Sequence, residues 1–337
     1  MLLNRTLSAL LVLVFLSVCV WTQTPQQNSE DAPQTFDERL GPDDGAAMAI
    51  LFGAGMKGNL ELCDCNFPRG GLARRVGYVE GFKKKFKDTP VIQVEAGFFF
   101  SGSAGYGMAD RSNENIARAY SRWPVDVINL GREDLAYAKK LLARDGLDER
   151  MRSLPMIKNI ISANAVFGPA AAQPVSYVIK EVSGPRIFGG KKKLRVGFVG
   201  LAMRNNPGGG VIDSGVTDMF QAATSAIIKA RKECDVLVVV AHCELEDALK
   251  LAGENLEADV VIAGDSGGIF NPRRVGSTLV VSAAPGNIRE GDLRLYLDKD
   301  GKFSFKFRAT DLDSVVPTDK ETTAFVDAAR EDRNRFK

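Results

Sequence analysis

Residues 48–77 read MAILFGAGMKGNLELCDCNFPRGGLARRVG. An apolar run over 48–52 enters a glycine-rich loop. The loop carries Cys63 and Cys65 with one residue between them, then runs into a helix expected over 72–86. Strand, loop and helix in that order open a βαβ unit. In open α/β sheets ligands sit beyond the carboxyl ends of the strands, where such loops gather. The cysteine pair therefore stands where chemistry is usually done. A static loop disulfide is the competing reading.

The same alternation continues along the chain. Strands are expected over 91–96, 125–130, 160–166, 175–182, 194–200, 236–241, 260–263, 279–283, 293–297 and 303–310. Helices are expected over 113–122, 135–143, 219–233, 245–253 and 319–335. The run 236–241 is apolar and rich in β-branched residues, which marks a strand buried on both faces. Early strands alternate with helices and later ones are joined by turns such as 299–302. That order predicts an α/β fold of two mixed β-sheets sandwiched between helices, with four layers, α/β/β/α.

The 337 residues are 45% hydrophobic and 26% charged, with a net charge of +2. This is an ordinary globular balance and no footprint for nucleic acid. Arg5 precedes an apolar stretch over 7–20, and 1–22 reads as a secretory signal. It is short for a membrane span. Leu16-Ser17-Val18-Cys19 has the outline of a lipobox, which would make Cys19 a lipid anchor. Residues 23–45 are polar, with Pro25, Pro33 and Pro42, and read as a disordered tether. The expected place is outside the cytoplasmic membrane, periplasmic or anchored there, with membrane contact only through the N-terminus. Residues 46–312 form the domain and 313–337 a terminal helix. Beyond Cys19 the cysteines are Cys63, Cys65, Cys234 and Cys243. Four are too few to scaffold so long a chain, so they point to a site or one local bridge.

The order of loops resembles the N-terminal domain of the 5′-nucleotidase and UDP-sugar hydrolase branch of the calcineurin-like metallophosphoesterases. The matching blocks are Gly58-Asn59-Leu60-Glu61 after the first strand, Val94-Glu95-Ala96-Gly97, Asn129-Leu130-Gly131, Val239-Val240-Ala241-His242, and Ile262-Ala263-Gly264-Asp265-Ser266-Gly267. The resemblance covers roughly residues 48–310. It implies a di-metal phosphohydrolase fold, but the ligand residues depart from it. Gly55 and Lys57 stand where the family has Asp and His, and Phe98 where it has the bridging Asp. Arg132 and Glu133 stand for its Asn and catalytic His, and Asp265 and Gly267 for two further histidines. His242 remains, the one histidine in the chain. A glycine or a phenylalanine side chain cannot ligate a metal, and a lysine ammonium repels one. Two-metal hydrolysis, in which the ions generate hydroxide and clamp the phosphate, is therefore expected to be lost. The Cys-x-Cys with Gly70-Gly71-Leu72-Ala73-Arg74-Arg75 also resembles the bacterial UDP-sugar-hydrolase-like (seleno)proteins, a resemblance that brings no established activity.

Three chemistries stay open. Cys63 and Cys65 are candidate redox residues, with Arg69, Arg74, Arg75 and a helix N-terminus favouring a thiolate and Asp64 opposing it. Alternatively Cys63, Cys65, His242 and Cys243 converge on zinc or another soft metal. Lys57, Asn59, Arg74, Arg132, Glu133 and Asp265 are the other expected cleft residues. The runner-up to these is a non-catalytic binding or scaffold subunit of an envelope redox complex, and a retained 5′-nucleotidase-like phosphohydrolase is the third reading. Phe98-Phe99-Phe100 either plugs the old cavity or seats a partner. The expected partner in the redox readings is an envelope redox protein.

Overall fold

A computed structural model describes residues 35–102, 107–144, 149–187, 193–203, 215–254, 257–268, 270–282 and 285–335. The expected secretory signal, Cys19 and the tether as far as residue 34 lie outside the described residues.

In chain order the strands are β1 (Met48–Gly53), β2 (Val91–Glu95), β3 (Val127–Asn129), β4 (Ile160–Ile161), β5 (Tyr177–Val182), β6 (Leu194–Ala202), β7 (Val236–His242), β8 (Val260–Ala263), β9 (Arg273–Val275), β10 (Thr278–Ser282), β11 (Arg289–Leu297) and β12 (Phe303–Asp311). The helices are α1 (Phe36–Leu40), α2 (Leu72–Lys85), α3 (Met108–Arg122), α4 (Leu135–Leu141), α5 (Glu149–Arg152), α6 (Met219–Arg231), α7 (Leu245–Gly253) and α8 (Lys320–Asn334). They build two six-stranded sheets, ordered β12-β11-β1-β2-β3-β4 and β5-β6-β7-β8-β10-β9. Strands β1 to β4 run parallel, as do β6, β7, β8 and β10, while β11, β12, β5 and β9 pair antiparallel with their neighbours, so both sheets are mixed.

The side-chain period of two sorts the layers. On β1, Met48, Ile50 and Phe52 enter the core between the sheets, which they share with Val236, Val238 and Val240 of β7. Ala49 and Leu51 point the other way, under Tyr78, Val79 and Phe82 of α2. On β7, Leu237, Val239 and Ala241 face Ala223, Ile227 and Ala230 of α6. Helices thus cover the outer face of each sheet, and the four-layer α/β/β/α order is observed.

Three of the boundary differences bear on the layout. Part of the expected tether is structured, because Thr35 and Glu38 close a capping box on α1. Phe36 there packs edge-on against Tyr78 at 5.6 Å. The strand expected over 160–166 ends at Ile161, because the Ser162 N–H is given to the Val175 carbonyl and the Ala163 N–H to Gly200, across to the second sheet. Arg273 and Arg274, outside every expected strand, form the edge strand β9 against β10. The terminal helix α8 packs on the first-sheet side, where Phe325 meets Trp123 with ring centroids 5.3 Å apart.

Candidate functional site

Two clusters lie beyond the carboxyl ends of the parallel strands. The first surrounds His242, at the end of β7. Continuing the β7 alternation, His242 points to the inter-sheet side while Cys243 joins the core under α6 and α7. Three glycines let the imidazole in. A Cβ on Gly97 would lie 2.8 Å from its Cδ2, one on Gly131 2.9 Å from its Nδ1, and one on Gly264 3.2 Å from its Cδ2. The Phe98 ring stands edge-on to it, centroids 6.1 Å apart. Lys57 Nζ lies over that ring at 5.2 Å from its centroid. Lys57 and Phe98 both have positive φ, 53° and 55°, where bulky residues are rare. The Lys57 N–H donates to the Phe98 carbonyl, 2.9 Å, and locks the two loops together.

Glu133 Oε2 lies 3.6 Å from His242 Nδ1, and Glu133 also pairs with Arg132. Burial pushes the imidazole below its ordinary value; Glu133 and Asp265 pull it back up, and Arg132 and Lys57 push it down. Lys57, Arg132, Glu133 and Asp265 therefore assemble around His242. Asn59 and Arg74 do not join them. Asn59 Oδ1 accepts the Glu61 N–H, 3.0 Å, and Arg74 Nη1 donates to the Pro68 carbonyl, 2.5 Å. Both brace the cysteine loop instead. Phe99 and Phe100 are fully buried beside Tyr120 and Tyr137, so most of the phenylalanine run is core, with Phe98 half-buried at the cavity.

Asp134 holds this cluster in place, a role its sequence context does not reveal. Its buried carboxylate accepts N–H groups from Phe98 at 2.7 Å, Phe100 at 2.8 Å and Gly131 at 2.8 Å. It joins the second and third loops. In sequence it is an acidic residue before an apolar helix, which reads as an ordinary N-cap.

The second cluster is the cysteine loop. Cys63 and Cys65 are disulfide-bonded, with Cα atoms 5.5 Å apart. Cys65 is exposed and Cys63 half-buried. The Cys63 N–H donates to the Arg69 carbonyl, 2.9 Å, and the Arg69 N–H returns to Cys63 Sγ, 3.2 Å. The loop is tied at its feet by Leu72 N–H to the Leu60 carbonyl and Gly70 N–H to the Leu312 carbonyl. Of the three arginines expected near the thiols, Arg75 is turned into the core. It pairs there with Glu95 at 2.6 Å and Glu290 at 3.2 Å. An α2 residue three positions beyond the helix start lies on the sheet-facing side, and the two buried carboxylates hold it there.

The four-residue metal set does not form. Cys63 and Cys65 are bonded to each other, while His242 and Cys243 point to opposite faces of β7. Among the described residues no group of three or more His, Cys, Asp or Glu side chains is placed to hold a metal ion. At the family's di-metal positions the donor set is also unsuitable, since Phe98 and Lys57 occupy it with a ring and an ammonium. Cys234 is buried against Gly197.

No family model matches the sequence, and no curated protein matches it. Solved structures do match. A 5′-nucleotidase precursor from Thermus thermophilus is similar at TM-score 0.66 and 19% identity, over 86% of this chain and 59% of that one. The Thermus thermophilus sulfate thiohydrolase SoxB gives 0.65 and 16%, over 86% and 61%. The calcineurin-like phosphoesterase YfkN from Bacillus subtilis gives 0.63 and 18%, over 86% and 98%. The chain thus spans less than two thirds of the first two structures. Two mixed sheets between helices, with the loops gathered at the carboxyl ends of parallel strands, are what these structures share with it: the chain has the calcineurin-like phosphoesterase fold.

Proposed function

We propose that this is a phosphoesterase-fold protein without di-metal hydrolysis, whose chemistry is thiol–disulfide exchange at Cys63 and Cys65. One observation carries the reading: an exposed Cys65 is bonded to a Cys63 whose Sγ already accepts the Arg69 N–H at 3.2 Å. An outside thiolate attacks Cys65 Sγ. The Cys63–Cys65 bond breaks and its electron pair stays on Cys63, where the N–H stabilises the leaving thiolate. Export past the cytoplasmic membrane puts the pair where disulfides persist, and the partner is an envelope redox protein.

The full chain tests this. After brief dithiothreitol treatment under native conditions, alkylation and mass spectrometry should find Cys63 and Cys65 labelled and Cys234 and Cys243 unlabelled. Burial pushes the last two thiols above their ordinary values, which slows them further. A bond that dithiothreitol opens only after unfolding, or one slow rate for all four cysteines, overturns the reading.

A second reading, a non-catalytic binding subunit, is favoured by a groove of about 860 Å³ between the edge strand β5 and α6. A Cys63→Ser/Cys65→Ser double variant that keeps the protein's cellular role would support it against exchange.

A further inference from the structure

The disulfide stands on the rim of a groove. Between the cysteine loop and α8 lies a cavity of about 400 Å³, with Cys63 in its wall. Leu60, Leu62 and Val326 supply apolar surface. Leu62 is 38% exposed and Phe67, two residues beyond Cys65, is 77% exposed, the largest apolar exposure in the loop. Exposed apolar surface beside a reactive group marks a contact site. The charged lining is acidic, with three carboxylates, Glu61, Asp64 and Asp327, against one guanidinium, Arg330. Glu61 is occupied by Arg333 at 2.7 Å and Arg330 at 3.6 Å, and Arg330 also reaches Asp327 at 2.9 Å. Asp64 is exposed and has no ion pair among the described residues.

We propose that this groove docks an extended protein segment that carries the reacting cysteine beside an apolar side chain and a lysine or arginine. The redox partner of the pair is then a basic protein dithiol rather than a small thiol. This rests on the exchange reading of Cys63 and Cys65. The apolar side chain enters between Leu62 and Val326, and the basic one meets Asp64, with Asp327 and its partner Arg330 alongside. The first substrate thiolate forms a bond to Cys65 Sγ as the Cys63–Cys65 bond breaks and Cys63 leaves as thiolate. The second substrate thiolate then attacks the substrate sulfur of that mixed disulfide, and Cys65 leaves. The two protons lost by the substrate thiols pass to Cys63 and Cys65. The substrate dithiol is oxidised by two electrons and the pair is reduced by two.

Two synthetic peptides test it, each with two cysteines flanked by phenylalanine, one with lysine and one with glutamate at both ends. Each is mixed with the oxidised full-length protein and quenched by alkylation at timed points, with dithiothreitol as the small dithiol. The lysine peptide should reduce the pair at least about tenfold faster than the glutamate peptide, and added salt should narrow the gap. Thr323→Trp fills the groove from an exposed position on α8. It should bring the lysine peptide down to the glutamate rate and leave the dithiothreitol rate unchanged. Asp327→Lys, also on the surface, should lower the lysine peptide alone and serves if the tryptophan variant folds poorly. Equal peptide rates in the unaltered protein, or no effect of either variant, overturn the groove while dithiothreitol still opening the pair leaves exchange standing. If dithiothreitol also fails on the folded protein, exchange falls and the groove proposal falls with it.

Discussion

His242 Nδ1 lies 3.6 Å from Glu133 Oε2, in a pocket that three glycines keep open. Here the imidazole is 4% exposed and lies beside the Glu133 carboxylate and the Phe98 ring, with Asp265, Arg132 and Lys57 around it.

Because it is the one histidine in the chain, its ring protons can be followed without assignment. Burial dominates its environment and favours the neutral ring. Its NMR titration midpoint should fall below the ordinary value of about 6.5. The unfolded chain then takes up the proton first, so stability falls as pH drops through about 6.5 towards the folded midpoint. A midpoint above about 7 would show that Glu133 and Asp265 outweigh burial.

Manganese, zinc or cobalt should bring no turnover of nucleotides or aryl phosphates. Phe98 and Lys57 offer a ring and an ammonium where two cations would need carboxylate and imidazole. The decisive assay is initial rate against metal concentration, with His242→Ala alongside. A metal-dependent rate that disappears in that variant would return the protein to the hydrolases.

Asp134→Asn should cost roughly 2–4 kcal/mol in urea unfolding. The amide replaces one acceptor oxygen by a donor facing backbone N–H groups that now end on carboxylate. A loss under about 0.5 kcal/mol would mean the loops are held by packing of Phe99 and Phe100 instead.

Arg75→Met should cost about 3–5 kcal/mol, since it leaves Glu95 and Glu290 buried without their cation. Burial pushes Glu290 up to about 7 against the pull of Arg75, with Glu95 and Asp292 adding to the rise. Its folded value therefore exceeds the unfolded one of about 4.5. The stability it contributes is full below about 4.5 and is lost as pH rises through 7. This is opposite in sign to the His242 contribution. Glu290→Gln should flatten the fall between those limits in chemical denaturation at stepped pH, and an unchanged slope would assign it to another group.

The strand–loop–helix of 48–77 and the apolar run of 236–241 are readable because period and turn chemistry are local properties of the chain. So is the layer order, since alternating elements leave few ways to bury both faces of two sheets. Gly55 and Phe98 are equally plain in the sequence, because their side chains lack donor atoms in any fold. Partnership between distant side chains is not readable. His242 and Cys243 are neighbours in sequence, yet the pleat sends them into different layers. Arg75 looks like a neighbour of the cysteines along the chain, yet helix phase turns it onto Glu95 and Glu290. Asp134 reads as a helix cap, yet folding brings the loop after β2 onto its carboxylate. Sequence determines which atoms are present, but which of them are desolvated together is decided by contacts between residues far apart in the chain.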